Sequence, residues 1–188
     1  IKDSKPFIIQ IGRIHPIKNY ETSIKAFEKM PKKFKLIIIG PVEEKSYFEK
    51  LQELINELNL QGRVIFLNSL SDAEKYNALK NAEAMVHMSR HEGYCNAVHE
   101  GMSQGLVCVV SNTTALPGLV ADGVNGYCLS PDDENGVYEK LNFVVNNKKS
   151  STVKKIQENN LKFAREHTWT KVADKVEEFY KQTFRNVF

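Results

Sequence analysis

The chain has 188 residues, 41% of them apolar and 26% charged, with a formal net charge of +3, which suits one soluble domain, or one and a fraction, with a full core. Most lysines stand singly among glutamates, so no basic surface demands nucleic acid as a partner, and no apolar run approaches the ~18 residues that span a bilayer. Cys95, Cys108 and Cys128 are odd in number and lack metal-ligand spacing, which reads as reduced thiols in a cytoplasmic protein.

No signal peptide is expected before Phe7. The first residue is Ile1, not Met, as expected for a fragment of a longer chain, although tag removal or processing leaves the same start. Phe7 to Gly12 (F-I-I-Q-I-G) is a short β-branched run closed by glycine and predicts a buried strand. Tyr20 to Met30 sets Ile24 and Phe27 among charges, which predicts a helix that Pro31 stops. Lys35 to Gly40 is the next strand. Glu44 to Leu58 reads as a long amphipathic helix with Phe48, Leu51, Leu54, Ile55 and Leu58 on one stripe.

Val64 to Leu67 is strand-like, and Ser71 with Glu74 forms a capping box opening a helix through Leu79. Ala84 to Met88 and Val107 to Val110 predict further strands. Between them a helix starts near Asn96, a good N-cap, with Ala97, Val98 and Met102 able to face inward. Asp133 to Asn146 and two segments at about 151–165 and 169–185 predict a helical end.

Strands alternating with helices imply a Rossmann-like α/β fold, a parallel sheet with helices on both faces. Residues 1–150 are expected to form this domain and 151–188 its C-terminal helices, with no internal repeat, low-complexity tract or long linker. Ligands of such sheets bind beyond the carboxyl ends of the strands. Gly12 to Lys18, Gly40-Pro41, Leu67-Asn68 and Ser89 to Asn96 each follow a strand, so these four loops open onto one edge.

The richest of them is S-R-H-E-G-Y-C-N-A-V-H-E, from Ser89 to Glu100, with seven residues between Glu92 and Glu100. A glycine loop feeding a helix N-terminus offers backbone N–H groups and the positive end of a dipole to an anion such as phosphate. Carboxylates beside it would repel that anion unless they face neutral hydroxyl groups flanking it. Phosphate flanked by hydroxyls describes a sugar nucleotide.

This segment resembles the motif of the retaining glycosyltransferases of family 4, whose two glutamates share this spacing; Tyr94 stands for the usual Phe and Cys95 for the second Gly. Gly12-Arg13-Ile14 followed by Lys18 resembles the family's Gly-Arg-Leu and lysine. Leu36 to Gly40, Val107 to Ser111 and A-D-G-V-N-G (Ala121 to Gly126) follow in family order, over residues 7 to 135.

The resemblance implies the C-terminal, donor-binding half of a GT-B enzyme. Such an enzyme transfers a sugar from a nucleoside-diphosphate donor, with retention, to a glycan or lipid-linked acceptor held mainly by an N-terminal domain. The last helix, H-T-W-T-K-V-A-D-K-V-E-E-F-Y, resembles the family segment that crosses toward that domain.

Arg13 and Lys18 would then neutralise the departing diphosphate. Glu100 would accept from the ribose diol, and Glu92 would face the transferred sugar. These two carboxylates do not read as the acid/base pair of a glycoside hydrolase, which flanks one glycosidic bond. Gly93, Tyr94, Cys95, Asn96 and Ala97 would offer main-chain N–H groups to phosphate and sugar, and Leu67 and Asn68, with Gly12, would lie near the nucleotide. Arg90 either reaches the diphosphate or makes a surface salt bridge; both remain open.

Two departures stand out. Cys95 adds a Cβ where a positive φ would be strained, and N-T-T-A-L-P-G after Ser111 puts Gly118 where the family has an acid. The five histidines form no metal set, and Asp132-Asp133 lacks Asp-x-Asp spacing, so no metal and no cofactor is expected. Tyr94 and Trp169 are expected to pack.

Lys32, Lys33 and Lys35, and the pair Lys148-Lys149, read as solvated faces or as a peripheral contact with anionic lipid at the inner face of the membrane. Asn112-Thr113-Thr114 matches a glycosylation sequon by pattern only. A GT-B sugar-nucleotide epimerase and a non-catalytic nucleotide-sugar-binding module or subunit remain alternatives. A dinucleotide-dependent dehydrogenase does not fit, since no G-x-G-x-x-G follows the first strand.

Overall fold

The computed structural model describes residues 5–184. Six parallel strands, β1 (Phe7–Ile11), β2 (Lys35–Ile39), β3 (Val64–Leu67), β4 (Ala84–His87), β5 (Cys108–Ser111) and β6 (Gly126–Leu129), form one sheet in the order β3-β2-β1-β4-β5-β6. Helices α1 (Tyr20–Glu28), α2 (Lys45–Glu57), α3 (Asp72–Asn81), α4 (Asn96–Ser103), α5 (Leu116–Leu119) and α6 (Glu134–Asn146) make the connections, followed by α7 (Ser151–Glu166) and α8 (Trp169–Thr183). This is the expected Rossmann-like α/β architecture.

The strands read as continuous apolar runs because both faces of the sheet are covered. Side chains alternate between two cores with the period of the pleat. Ile8, Leu36, Ile38, Val86 and Val109 point to the core under α1, α2 and α6. Ile9, Ile37, Ile39, Met85, Cys108 and Val110 point to the core with Ala78 and Leu79 of α3, Val98 and Met102 of α4, and Leu116 and Leu119 of α5. On α2 the stripe is in place, with Leu51 and Ile55 buried and Phe48, Leu54 and Leu58 packed at its margin. The Ser71–Glu74 capping box is present in both directions.

Several elements differ from expectation. The strand β6 was not foreseen: G-Y-C-L is short and opens on Gly126, whose missing Cβ would stand 2.6 Å from the Cys108 carbonyl oxygen. That close approach needs a glycine, and it leaves a sequence that looks like a turn. Helix α5, a single turn around Pro117, likewise carries no helical signal in the sequence. Asn96 is not the N-cap of α4. Cys95 holds that position at φ 77°, and no side chain caps the helix.

Helix α7 is fastened by Asn160, which is fully buried and donates from Nδ2 to the Leu106 carbonyl at 2.6 Å. Asn159 adds a bond to the Val124 carbonyl at 2.7 Å. By contrast, α8 has no buried residue. Residue 185, expected to end it, lies outside the described residues. Among the described residues no helix is long and apolar enough to cross a membrane.

Candidate functional site

The sheet changes direction between β1 and β4. From β1 the chain passes to β2 on one side, and from β4 to β5 on the other, so the loops after β1 and β4 diverge and leave a crevice at their carboxyl ends.

The wall on the β1 side is built by close backbone contact. Gly12 N–H donates to the Ile39 carbonyl at 2.9 Å and Ile14 N–H to the Pro41 carbonyl at 2.8 Å. A Cβ on Gly40 would lie 2.0 Å from the Gly12 oxygen, so only glycine lets the two loops meet. Beneath them the buried Tyr20 donates from its hydroxyl to the Gly12 carbonyl at 2.6 Å. Burial, then Glu92 and Cys95, push this phenol far up, so it stays a donor. His15 Nδ1 accepts from Ile17 N–H at 3.2 Å and opens the short 3-10 turn Pro16–Lys18, which delivers Lys18 into the crevice.

On the β4 side hydroxyl groups do the holding. Ser89 Oγ donates to the Ile17 carbonyl at 3.0 Å, and Arg90 N–H donates to the same oxygen at 2.8 Å. Ser111 Oγ donates to the Ser89 carbonyl, and Thr113 Oγ1 does so at 2.7 Å. Thr114 Oγ1, from a residue at φ 45°, accepts from Glu92 N–H at 2.8 Å. The Asn112 to Gly118 segment, which departs from the resembled pattern, is thus the clasp of the Glu92 loop.

The two loops meet through charge. Lys18 Nζ and His87 Nε2 both lie 2.6 Å from Glu92 Oε1, and the Lys18 and Glu92 side chains are only 13% and 9% exposed. Burial opposes the Glu92 carboxylate most, but His87 and Lys18 outweigh it and hold its pKa down at about 2. His87 is itself disfavoured as a cation chiefly by burial; Cys95 and Glu92 reverse that and raise it to about 9. Cys95 Sγ sits 3.3 Å from His87 Nε2.

Glu100, on α4, has a separate environment. Its Oε1 accepts from Lys75 Nζ at 2.9 Å, and Lys75 also reaches Asp72 Oδ1 at 3.1 Å.

Next to these side chains lies a row of unused donors. Among the described residues, the amides of Gly93, Tyr94, Cys95, Asn96 and Ala97 donate to no protein acceptor. They stand at the N-terminus of α4, where the helix dipole is positive.

Of the other expected residues, Arg13 is exposed and pairs with Glu43 at 2.5 Å. Arg90 pairs with Asp132 at 2.5 Å, the salt-bridge alternative. Leu67 ends β3 partly buried, and Asn68 beyond it is exposed. Tyr94 packs only edge-on against His99, and Trp169 does not pack as expected. They are 40% and 76% exposed, and with Tyr76, His99 and Val172 they line a cleft of about 590 Å³ beside Asn96 and Glu100. Trp169 sits at the start of α8, which finds no neighbour to bury it.

His87, Lys75, Thr113 and Thr114 were not foreseen as site residues. Only His87 left a signal, as the one ionisable group in the apolar run A-M-V-H-M. His87 Nε2, Glu92 Oε1 and Cys95 Sγ also lie within 4.8 Å of one another, a donor set of the type that takes zinc. These atoms are already joined by hydrogen bonds, and the Lys18 ammonium shares Glu92 Oε1.

A sequence model of the group 1 glycosyl transferases matches residues 1–163. The chain is 30% identical, over 76% of its length, to the N-acetylgalactosamine-N,N'-diacetylbacillosaminyl-diphospho-undecaprenol 4-alpha-N-acetylgalactosaminyltransferase of Campylobacter jejuni, of which it covers 38%. It is 24% identical, over 74% of its length, to the N-acetyl-alpha-D-glucosaminyl L-malate synthase of Bacillus anthracis and covers 36% of that protein. The chain therefore spans less than half the length of these relatives.

Among solved structures, Anabaena HepE in complex with UDP-glucose matches with a TM-score of 0.87 at 21% identity, over 95% of this chain and 49% of that one. The catalytic domain of the cholesterol-alpha-glucosyltransferase from Helicobacter pylori matches with a TM-score of 0.75 at 22% identity, over 88% of this chain and 100% of that one. At these identities the likeness is one of fold: a Rossmann-like half of the GT-B arrangement.

Proposed function

The chain belongs to the group 1 glycosyl transferases, and from that membership we propose that it binds a nucleoside-diphosphate sugar in the crevice between the β1 and β4 loops. The observation that carries this reading is the row of five free amides, Gly93 to Ala97, beside Lys18 and between two separately held carboxylates. Amides and an ammonium suit the diphosphate. The carboxylates suit the hydroxyls on either side of it: Glu100 the ribose, Glu92 the sugar. The base would lie against Leu67 and Asn68.

Together with a second domain that holds a glycan or lipid-linked acceptor, the chain would transfer the sugar with retention. Lys18 and Arg13 would neutralise charge on the leaving diphosphate, which is electrostatic stabilisation of the transition state. For Lys18 this means sharing its three N–H donors between Glu92 and phosphate, and for Arg13 exchanging Glu43 for phosphate. The departing phosphate would help take the acceptor hydroxyl's proton on the same face of the sugar. No metal ion is assigned a part in these steps. The exposed stripe Trp169, Val172, Val176, Phe179 and Tyr180 on α8 would be covered by the second domain.

Calorimetry with UDP-glucose, GDP-mannose and ADP-glucose, with and without chelator, tests the binding. One of the three should bind, weakly and equally in both conditions, and the chain alone should show no turnover with a labelled donor. Failure of all three would overturn the donor site. Robust transfer by the chain alone would overturn the need for a second domain, and a strict Mg²⁺ requirement would overturn the metal-independent scheme.

A further inference from the structure

We propose that His87 is a positioning residue for Glu92: with Lys18 it holds one carboxylate oxygen, Oε1, and so presents the other, Oε2, to the donor sugar. The inference rests on the donor-site reading above and deepens it.

His87 is the last residue of β4 and is 1% exposed, in a strand whose other members are all apolar. A buried imidazole there costs desolvation unless it is bonded. Its Nε2 is 2.6 Å from Glu92 Oε1, while its Nδ1 is buried and has no partner among the described residues. Nε2 therefore carries a hydrogen in either protonation state, because the atom it faces is an ionised oxygen that only accepts. Lys18 donates to the same oxygen from the opposite strand loop, also at 2.6 Å.

No described residue donates to Oε2. The main chain of Glu92 is held as well, by its N–H bond to Thr114 Oγ1 at 2.8 Å. A side chain fixed at its amide and at one oxygen has a defined direction for the other oxygen, which is what selects among the hydroxyl groups of a sugar.

Cys95 completes the shell. At φ 77° its thiol lies 3.3 Å from His87 Nε2, the nitrogen that faces Glu92. A glycine at this position would remove that contact to the ring. The cysteine, odd for the motif, and the histidine, odd for the strand, therefore explain each other.

The test uses two variants of the full chain and the best-bound member of UDP-glucose, GDP-mannose and ADP-glucose, compared with its free nucleoside diphosphate. His87→Leu keeps bulk and removes the N–H; His87→Gln keeps an N–H near the position of Nε2. The expected result for His87→Leu is a roughly tenfold loss in affinity for the nucleotide sugar, the size of one hydrogen bond to a charged group, with the free diphosphate within about twofold of wild type. His87→Gln should restore the sugar-dependent part.

A His87→Leu protein that keeps the wild-type preference for nucleotide sugar over free diphosphate, or a His87→Gln protein as impaired as His87→Leu, overturns the proposal. A long-range ¹H–¹⁵N imidazole spectrum of the wild-type chain decides the case without ligand, and also if His87→Leu does not fold. Nε2 should carry a hydrogen whose shift moves in Glu92→Gln, whereas a bare Nε2 or an unmoved shift overturns the proposal. Should no nucleotide sugar bind the wild type while the spectrum shows this coupling, the donor assignment fails and the His87–Glu92 relationship stands.

Discussion

Lys75 on α3 places its ammonium 2.9 Å from Glu100 Oε1 on α4, so the carboxylate assigned to the ribose is held by a neighbouring helix and not by its own. Replacing Glu100 by Gln keeps the shape and removes the charge that accepts from a vicinal diol, a contact of roughly 1.5–3 kcal/mol. Affinity for the free nucleoside diphosphate and for the nucleotide sugar should both fall about ten- to a hundredfold in calorimetry. Wild-type affinity for both would remove Glu100 from the site.

Glu92→Gln should behave differently. It leaves Lys18 and His87 facing a neutral amide in a setting where the side chains are 9–13% exposed, and breaking one side of a buried pair costs about 3 kcal/mol of stability. Denaturant unfolding should show that loss, and a saturating nucleoside diphosphate should recover part of it, since phosphate can replace the carboxylate beside Lys18. Free diphosphate affinity should hold or rise, while turnover of the complete enzyme falls. Equal loss of free-diphosphate affinity in Glu92→Gln and Glu100→Gln would end this division of roles.

Stability should peak in mildly acidic solution. Glu92 titrates at about 2 in the folded protein against 4.5 for the free side chain, so its contribution is present above about 4.5 and is lost as pH falls toward 2. His87 titrates at about 9 against 6.5. The folded state therefore binds the extra proton between those values, and the contribution, complete below 6.5, disappears as pH rises through 9. Urea midpoints measured from pH 3 to 10 should decline on both sides of a plateau between about 4.5 and 6.5. In His87→Gln the alkaline decline should shrink; an unchanged alkaline limb would refute the assignment.

Gly40→Ala tests the meeting of the β1 and β2 loops. The added Cβ would fall 2.0 Å from the Gly12 carbonyl oxygen, a backbone atom that cannot rotate away. The loss should be on the order of 3 kcal/mol or more, read as a lower melting temperature, with nucleotide affinity reduced because Gly12 to Lys18 shifts. Gly93→Ala, whose Cβ would meet nothing within 4 Å, is the control and should melt near wild type.

What could be read in advance was whatever the local chain repeats or closes. The runs F-I-I-Q-I-G and L-I-I-I-G announced buried parallel strands because both their faces are covered, and the Ser71 capping box announced α3 because its partners are three residues apart. The loops that converge were legible because every one follows a strand. Illegible were β6, where a glycine chosen for close approach mimics a turn, and the surroundings of α8. The partners of the site residues were hidden for a different reason. Lys75 and Glu100 lie on different helices, Thr114 and Glu92 on different loops, and nothing in local spacing relates them. Cys95 at positive φ was legible as a strain, but its explanation sits on β4.

The hydroxyl clasp between the β5 loop and the β4 loop carries a consequence for how this protein can change over generations. Thr114 bonds the amide of Glu92, and Ser111 and Thr113 bond the carbonyl of Ser89. A substitution at 113 or 114 is therefore expected to shift the Glu92 loop while leaving Glu92 itself unchanged. If the crevice is the donor site proposed above, selection for a new donor would have two routes into it, one through the acid itself and one through its clasp. Drift from one sugar to another is expected to begin in the threonines.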